Sequence, residues 1–162
     1  MTEPEPPIRA CVITASTRAA AGDYEDRSGP VLAAGLRELG IEVAPVVVVA
    51  DGAPVGTALR AAIGAYDIVL TTGGTGLSPT DATPDQTRPL LEREIPQLAA
   101  ELARAGVAKG VPTAVLSRGL AGIAARTLVV NLPGSRGGVR DALAVLGPIL
   151  HHAVDQIRGG DH

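Results

Sequence analysis

The stretch TTGGTGLSPTDATPDQTRP, residues 71–89, holds the densest group of residues that could do chemistry. Its glycine-rich turn consists of Gly73, Gly74, Thr75 and Gly76. Glycine lets a backbone approach a ligand closely, and successive amides in such a turn form an anion-binding nest. No Gly-Lys-Ser/Thr of a Walker A loop follows, and Pro79 stands where a dinucleotide fingerprint has its last glycine. A tight turn is the simpler interpretation, but the polar residues that follow favour a binding site; they are Ser78, Thr80, Asp81 and Thr83.

Two aspartates are the candidates for catalysis and for metal binding. Asp81 follows the glycine-rich turn, and Asp51 ends the apolar run VVVVA. Each has a plainer explanation, since Asp before Gly52 favours a turn and Asp81 suits the positive end of a helix. Two carboxylates beside an anion-binding loop nevertheless suggest a divalent cation between them, which would bridge phosphate oxygens. The pair therefore predicts a site for a divalent cation.

Other polar residues are weaker candidates for ligand contacts. Ser117 follows an apolar run, and Pro133-Gly134 in NLPGS forms a rigid turn. Arginines are possible phosphate partners, although most lie at surfaces for other reasons; the candidates are Arg18 and Arg118. His151 and His152 have no third ligand at a metal-binding spacing, so no metal role is expected for them.

Composition excludes several classes of function. The net charge is −3 with acidic and basic residues interleaved, and the chain has two Tyr but no Trp or Phe. It therefore lacks the basic footprint and the stacking aromatics of proteins that bind nucleic acid. The lone Cys11 excludes a disulfide and a cysteine metal site. The acidic, proline-rich start resembles no signal peptide, and no apolar run approaches the roughly 20 residues of a membrane helix. A cytoplasmic protein with no membrane contact is expected.

Apolar runs and turn residues predict an alternating order of strands and helices. We expect a flexible tail over residues 1–7 and a single domain over 8–160. The predicted strands are 8–15, 41–50, 67–72, 112–117 and 126–132, with 41–50 buried on both faces. The predicted helices are 28–40, 55–65, 84–94, 96–106 and 138–157, with Ser28 and Thr83 as N-caps. This order predicts an α/β fold: a three-layer α/β/α sandwich around a mostly parallel sheet.

The predicted order also places the candidate residues at one edge of the sheet. In open α/β sheets, ligands bind outside the carboxyl ends of the strands. The loops that follow the predicted strands begin at Ser16, Asp51, Gly73, Ser117 and Pro133. We expect those loops to share one edge.

Several of these motifs together resemble a known family. TTGGTGLSPTDATPDQT is similar to the signature of the molybdenum-cofactor biosynthesis domain found in MogA, MoaB and the G domains of gephyrin and its plant counterpart. NLPGS, DRSGP and VLSRGLAGI resemble further pieces of that family in the same order. The resemblance extends from Ile8 to about Ile157.

The resemblance implies a cytosolic homotrimer that binds molybdopterin. MogA-type members are molybdopterin adenylyltransferases, which use Mg-ATP to adenylate the terminal phosphate of molybdopterin and release pyrophosphate. Their product passes to a molybdate-inserting enzyme. The family's two functional aspartates fall on Asp51 and Asp81, and a family serine falls on Ser117. The substrate-binding residues expected from the motifs are Gly73, Gly74, Thr75, Gly76, Ser78, Ser117, Pro133 and Gly134.

Two alternatives stay open at this point. One is a non-catalytic member that binds molybdopterin as a carrier or assembly protein, and the other is an unrelated nucleotide- or pterin-binding module. The chain also departs from the signature, because Thr80 stands where the family usually has Arg and Asp85 stands where it usually has Glu. Thr80 removes one possible phosphate contact.

Overall fold

A twisted sheet organises the fold, with helices on both of its faces. The computed structural model describes residues 3–160, so the first two residues of the predicted tail lie outside it. Within that range the seven strands are β1 (Arg9–Ala15), β2 (Glu42–Val43), β3 (Val47–Val49), β4 (Ile68–Thr72), β5 (Arg93–Glu94), β6 (Ala121–Ala124) and β7 (Thr127–Leu132). The order is β2-β1-β4-β7-β6-β5, and β3 also pairs with β1. Residues 3–7 have no regular structure, but the Pro6 and Pro7 carbonyls accept hydrogen bonds from Arg158.

The centre of the sheet is parallel and its far edge is antiparallel. Strands β1, β4 and β7 run in parallel, with Val12 paired to Leu70 and Leu70 to Val130. Strand β6 then runs antiparallel to both β7 and β5. The predicted three-layer, mostly parallel α/β fold is therefore confirmed.

Two apolar layers cover the sheet. The helices are α1 (Thr17–Ala20), α2 (Ser28–Glu38), α3 (Ala53–Ala62), α4 (Thr83–Thr87), α5 (Pro96–Ala108), α6 (Arg136–Leu146) and α7 (Leu150–Ile157). On one face, side chains such as Val12 and Leu70 pack with α2, α6 and α7. On the other face, Ile13 and Val129 pack with α3. Cys11 lies in this second layer as a buried small side chain, where burial raises the pKa of its thiol.

The prediction of a strand at 112–117 is wrong. Pro112–Leu116 is an exposed 3-10 helix, and the strand of this region is β6, nine residues later. The β6–β7 hairpin turns at Ala125 and Arg126, which both have positive φ values of 44° and 64°. Such turns normally contain Asn-Gly or Asp-Gly, so the usual sequence signal for a hairpin is missing here.

The predicted helix 84–94 is shorter than expected. Helix α4 ends at Thr87, a 3-10 turn covers Arg88–Leu90, and β5 follows. Pro89 accounts for the break, because it has no amide hydrogen and its ring clashes with the preceding turn. The predicted N-cap is also wrong: Ala82 holds that position, Thr83 is the first helical residue, and no side chain caps the helix.

Prolines and glycines divide two further predicted elements. Pro45 separates β2 from β3, and Val47 and Val48 are 38% and 36% exposed, so the strand expected to be buried on both faces is a broken edge strand. Gly147-Pro148 separates α6 from α7, which the sequence analysis had joined. Helix α2 begins at Ser28 with Arg27 as N-cap, and the Asp26 carboxylate accepts from the Gly29 amide instead of the predicted cap.

Candidate functional site

The predicted loops meet at the carboxyl edge of the sheet. Ser16, after β1, donates its amide to the Val49 carbonyl at 2.9 Å, and Gly73, after β4, donates to the Leu132 carbonyl at 3.0 Å. Ser117 does not follow a strand, but its neighbour Arg118 donates to the Thr75 carbonyl at 2.8 Å. Because β6 is antiparallel, the segment before it lies where the neighbouring strands end. The loops therefore share one edge of the sheet. Ser117 lies there because it precedes an antiparallel strand, not because it follows a parallel one.

The glycine-rich turn is packed so closely that side chains do not fit. Gly73 and Gly74 have φ values of +96° and +69°. A Cβ on Gly73 would stand 2.5 Å from the Ala15 carbonyl oxygen. A Cβ on Gly74 would meet the Thr83 hydroxyl and would stand 3.1 Å from Asp51 Oδ1. The turn thus needs glycine both for its backbone conformation and for its contact with the neighbouring residues.

Asp51 lies beside Gly74 and is oriented by Thr17. Its Oδ2 accepts hydrogen bonds from the Thr17 amide at 3.2 Å and from the Thr17 hydroxyl at 3.1 Å. The Asp51 amide also lies 3.1 Å from the Thr17 hydroxyl oxygen. These contacts fix the carboxylate between α1 and the glycine-rich turn.

Asp81 lies beside Gly76, which comes two residues after Gly74 in the glycine-rich turn. Its Oδ2 accepts from the Ser78 amide at 3.0 Å and would stand 2.8 Å from a Cβ on Gly76. Within residues 3–160, no hydrogen bond reaches Oδ1 of Asp81 or Oδ1 of Asp51. Each carboxylate therefore contacts the turn and keeps one oxygen for another ligand.

The side chains of residues 3–160 do not enclose a metal by themselves. No group of three or more His, Cys, Asp or Glu side chains among the described residues is arranged to hold a metal ion. Carboxylate oxygens are ligands that Mg²⁺ prefers, and it usually binds one or two of them together with substrate phosphates and water. Asp51 and Asp81 fit that donor chemistry. His151 instead has its Nε2 2.7 Å from the Leu39 carbonyl oxygen.

Arg118 fastens the loop that carries Asp81. Its guanidinium donates to the Gly76 carbonyl at 3.0 Å and to the Asp81 carbonyl at 2.6 Å. It also forms an ion pair with Asp85 at 3.0 Å. The side-chain hydrogen bond from Arg118 lowers the pKa of the Asp85 carboxyl, although desolvation opposes it. The arginine that sequence suggested as a phosphate partner is thus engaged in holding the loop.

A buried network positions helix α4 against the sheet. The Asn131 side-chain amide donates to the Thr71 hydroxyl at 3.0 Å and to the Thr87 hydroxyl at 3.1 Å, and its Oδ1 accepts from the Leu120 amide. The Thr87 hydroxyl donates to the Thr83 carbonyl at 2.7 Å. Sequence analysis did not select Asn131 itself, although a lone Asn in the apolar run LVVNL was a usable signal.

The Thr83 hydroxyl is buried without a hydrogen-bond partner. Of the buried side-chain nitrogen and oxygen atoms in residues 3–160, it alone has none. Leaving such a group unpaired costs about 1–3 kcal/mol. It faces Gly74 next to Asp51, so this cost is incurred at the centre of the site.

Two cavities adjoin residues 133–135, here called the 133–135 ridge. The first, here called the apolar cavity, measures about 400 Å³ and is lined by side chains that include Leu77, Leu102, Val111 and Leu116. It also contains the predicted residues Thr75, Gly76, Ser117 and Pro133. The second, here called the arginine cavity, measures about 590 Å³ and is lined by Arg27, Arg136 and Arg140 together with Gly73 and Gly134. Ser135 lines both.

Three predicted residues play smaller parts in this geometry. The Ser78 hydroxyl is exposed and lies 3.3 Å from the Thr80 hydroxyl. The Ser117 hydroxyl accepts from the Gly119 amide at 3.1 Å. Gly134 packs against the turn, since a Cβ on it would stand 3.2 Å from Gly73 Cα.

A family profile matches most of the chain. The profile described as a probable molybdopterin binding domain covers residues 11–152. The chain belongs to this molybdopterin-binding family. Sequence analysis reached the same family from the motifs alone.

Curated relatives of the chain carry names from molybdenum-cofactor biosynthesis. It is 37% identical to the bifunctional molybdenum cofactor biosynthesis protein of Chlorobaculum tepidum, over 95% of this chain and 50% of that protein. It is also 37% identical to the molybdopterin adenylyltransferase of Helicobacter pylori, over 94% of this chain and 89% of that protein. The chain thus spans about half the length of the bifunctional relative and most of the adenylyltransferase.

Solved structures of the family superpose closely on the chain. The Mog protein of Mycobacterium ulcerans has a TM-score of 0.87 and 52% identity, covering 96% of this chain and 99% of that one. MoaB of Thermus thermophilus has a TM-score of 0.85 and 41% identity, covering 94% of this chain and 97% of that one. Over the described residues, no helix has the length and apolar character needed to cross a bilayer.

Proposed function

We propose that this chain is a molybdopterin adenylyltransferase. It would transfer AMP from Mg-ATP to the terminal phosphate of molybdopterin and release pyrophosphate. The observation that carries the proposal is the placement of Asp51 and Asp81, one at Gly74 and one at Gly76 of a single glycine-rich turn. The similarity to the Helicobacter pylori adenylyltransferase, which extends over most of both chains, supports it.

The chemistry asks for positioning and charge neutralisation more than for a proton-transfer group. A phosphate oxygen of molybdopterin attacks the α-phosphorus of ATP, a new P–O bond forms, and the bond to the β-phosphate oxygen breaks. Pyrophosphate leaves with that electron pair. The attacking phosphate is already an anion near neutral pH, so no strong general base is needed, and catalysis rests on placement and electrostatics.

The residues in and around the glycine-rich turn would each contribute to positioning or to charge neutralisation. Asp51 and Asp81 would hold Mg²⁺, which when bound neutralises charge on the triphosphate. The backbone amides of residues 73–76 would donate to the phosphates, as amides in such turns do. Thr17 and Ser78 keep the two carboxylates in place through the bonds described above. Ser117 and the 133–134 turn would contact molybdopterin from the apolar cavity and the ridge.

The two cavities suit a reaction between two substrates. Both include residues of the 133–135 ridge, and Ser135 lines both, so molecules bound in the two cavities would both lie next to Ser135. A protein with only a carrier role would need one cavity. This arrangement favours transfer between two bound molecules over simple carriage.

The homotrimer and the downstream molybdate-inserting enzyme remain part of the proposal. Large apolar side chains in the lining of the apolar cavity are exposed, with Leu77 and Leu116 at 65% and 50% exposure. Exposed apolar side chains grouped in this way are typical of protein interfaces. A sizing experiment that gives a trimer would support the assembly, and a clean monomer would contradict it.

Pyrophosphate release tests the proposed activity. The purified chain is incubated with Mg-ATP and molybdopterin, and molybdopterin binding is measured in parallel. Release above the rate without protein supports adenylyl transfer. Binding of molybdopterin without release would instead identify a non-catalytic carrier of the MoaB type.

A further inference from the structure

The arginine cavity carries uncompensated positive charge in a protein whose net charge is −3. Within residues 3–160, Arg136 and Arg140 form no ion pair and no side-chain hydrogen bond. Arg27 has a 3.8 Å contact with Glu25, and its guanidinium lies 6.0 Å from the centre of the Tyr24 ring. The acidic side chain in the lining, Asp26, is engaged by the Thr14 hydroxyl and the Gly29 amide. The apolar cavity differs, because its lining contains Asp141 and no basic residue.

Helix α6 begins at this cavity with Ser135 as its N-cap, whose hydroxyl accepts from the Gly138 amide at 3.0 Å, but its first two residues disfavour a helix start. Arg136 is its first residue and no acidic residue lies in its first turn, although the positive end of a helix dipole disfavours cations. Gly137 follows and costs about 1 kcal/mol relative to Ala within a helix. A Cβ on Gly137 would meet nothing within 4 Å, so packing does not require glycine there. Local choices that lower stability without a packing reason are typical of functional positions.

A second helix start adds to the positive potential. Helix α2 begins at Ser28, which lines the same cavity as its N-cap Arg27. The N-termini of α2 and α6 therefore both face this cavity, and each contributes partial positive charge. Guanidinium groups bind phosphate oxygens in bidentate fashion. Cavity, arginines and helix starts all point to the same class of ligand.

We propose that the arginine cavity is a phosphate-binding subsite, and that during turnover it holds the β- and γ-phosphates of the nucleotide. This rests on the proposed adenylyl transfer for the identity of the occupant. The subsite borders Gly73 and Gly134, so the α-phosphate of a nucleotide held there would lie toward the glycine-rich turn and its aspartates. Pyrophosphate would then remain in the arginine cavity when the bond breaks. The terminal phosphate of molybdopterin shares this chemistry, and the experiment separates the two sources.

Binding of inorganic pyrophosphate tests the subsite without turnover. Calorimetric affinities are compared for the wild-type chain, the double variant Arg136→Ala/Arg140→Ala, and the control Arg37→Ala/Arg60→Ala. The control removes the same charge from arginines that bond to Val43 and Thr57, outside the cavity lining. We expect about tenfold or greater weakening, with a shallower salt dependence, in the first variant alone. Equal affinity in the wild type and the first variant would overturn the subsite.

Steady-state kinetics identify the occupant. The first double variant should raise the KM for ATP while the KM for molybdopterin stays near the wild-type value. A rise in the KM for molybdopterin alone would overturn the assignment to the nucleotide. These experiments can contradict the phosphate subsite and the proposed adenylyl transfer independently of each other. A wild-type chain that binds pyrophosphate but does not release it from ATP contradicts adenylyl transfer alone, and normal pyrophosphate binding by the variant contradicts the subsite alone.

Discussion

Arg118 and Asp85 form a two-pronged ion pair across the candidate site, with Nη1 to Oδ1 at 3.3 Å and Nη2 to Oδ2 at 3.0 Å. The same guanidinium donates to the carbonyls of Gly76 and Asp81. One side chain thereby connects the glycine-rich turn, the Asp81 loop and helix α4. The next two predictions concern how this loop is held.

Arg118→Lys should lower turnover and the thermal midpoint. A lysine carries the charge but cannot reach two carbonyls and a carboxylate at once, because it lacks the planar fork of arginine. The control is Arg104→Lys, which alters a comparable arginine–glutamate pair on the exposed side of α5. Pyrophosphate release and thermal unfolding of both variants measure the difference. Equal behaviour of the two variants would show that Arg118 is only a surface ion pair.

The Arg118–Asp85 pair should give the protein a pH-dependent increment of stability. The pKa of Asp85 is lowered in the folded protein, mainly by the side-chain hydrogen bond from Arg118. The increment is therefore present above the unfolded pKa of about 4 and is lost as pH falls through the lower folded value. The difference in thermal midpoint between wild type and Asp85→Asn should shrink below about pH 4. A difference that stays constant with pH would contradict this.

Thr83→Val should leave the free energy of unfolding unchanged or raise it by about 1 kcal/mol. The substitution removes a buried hydroxyl that has no partner and keeps the shape of the side chain. Thr87→Val is the matched contrast, since that buried hydroxyl is bonded to the Thr83 carbonyl and to Asn131. It should cost about 1–3 kcal/mol. Denaturant unfolding compares them, and a Thr83→Val loss as large as that of Thr87→Val would contradict the unpaired assignment.

Gly74→Ala should impair both stability and activity more than Gly40→Ala. Both glycines have positive φ, +69° and +80°, so alanine strains each backbone by about 1–2 kcal/mol. A Cβ on Gly40 meets nothing within 4 Å, whereas one on Gly74 meets Thr83 and Asp51. Unfolding and pyrophosphate-release measurements on both variants separate strain from crowding. Similar losses in the two variants would mean that the Gly74 contacts do not matter.

Local patterns in the sequence were enough to predict the centre of the fold. The run before Gly73 and the run before Pro133 became β4 and β7, because long apolar runs flanked by turn residues suit buried parallel strands. Asp51 could be selected because it ends an apolar run, and Asp81 because it follows the glycine-rich turn. The parallel strand order then predicted that their loops would share an edge.

The remaining features depend on contacts between distant residues. Strand β6 is only the sequence AGIA, which has little strand character, and it exists because β5 and β7 pair with it. Arg118 acts on residues 33 to 42 positions earlier in the chain, so no spacing rule reveals its role. The arginine cavity likewise combines residues that flank two separate helix starts.

The most direct test of the account is pyrophosphate release by Asp81→Asn and Asp51→Asn beside the wild type. Asn keeps the size of each side chain but cannot supply the carboxylate charge that we assign to Mg²⁺ binding. The control is Asp155→Asn on α7, away from the glycine-rich turn. We expect the wild type to release pyrophosphate and the control variant to release it at the same rate. In each of the other two variants the rate should fall by about a hundredfold or more while the protein stays folded. Full activity in Asp81→Asn or Asp51→Asn would contradict it.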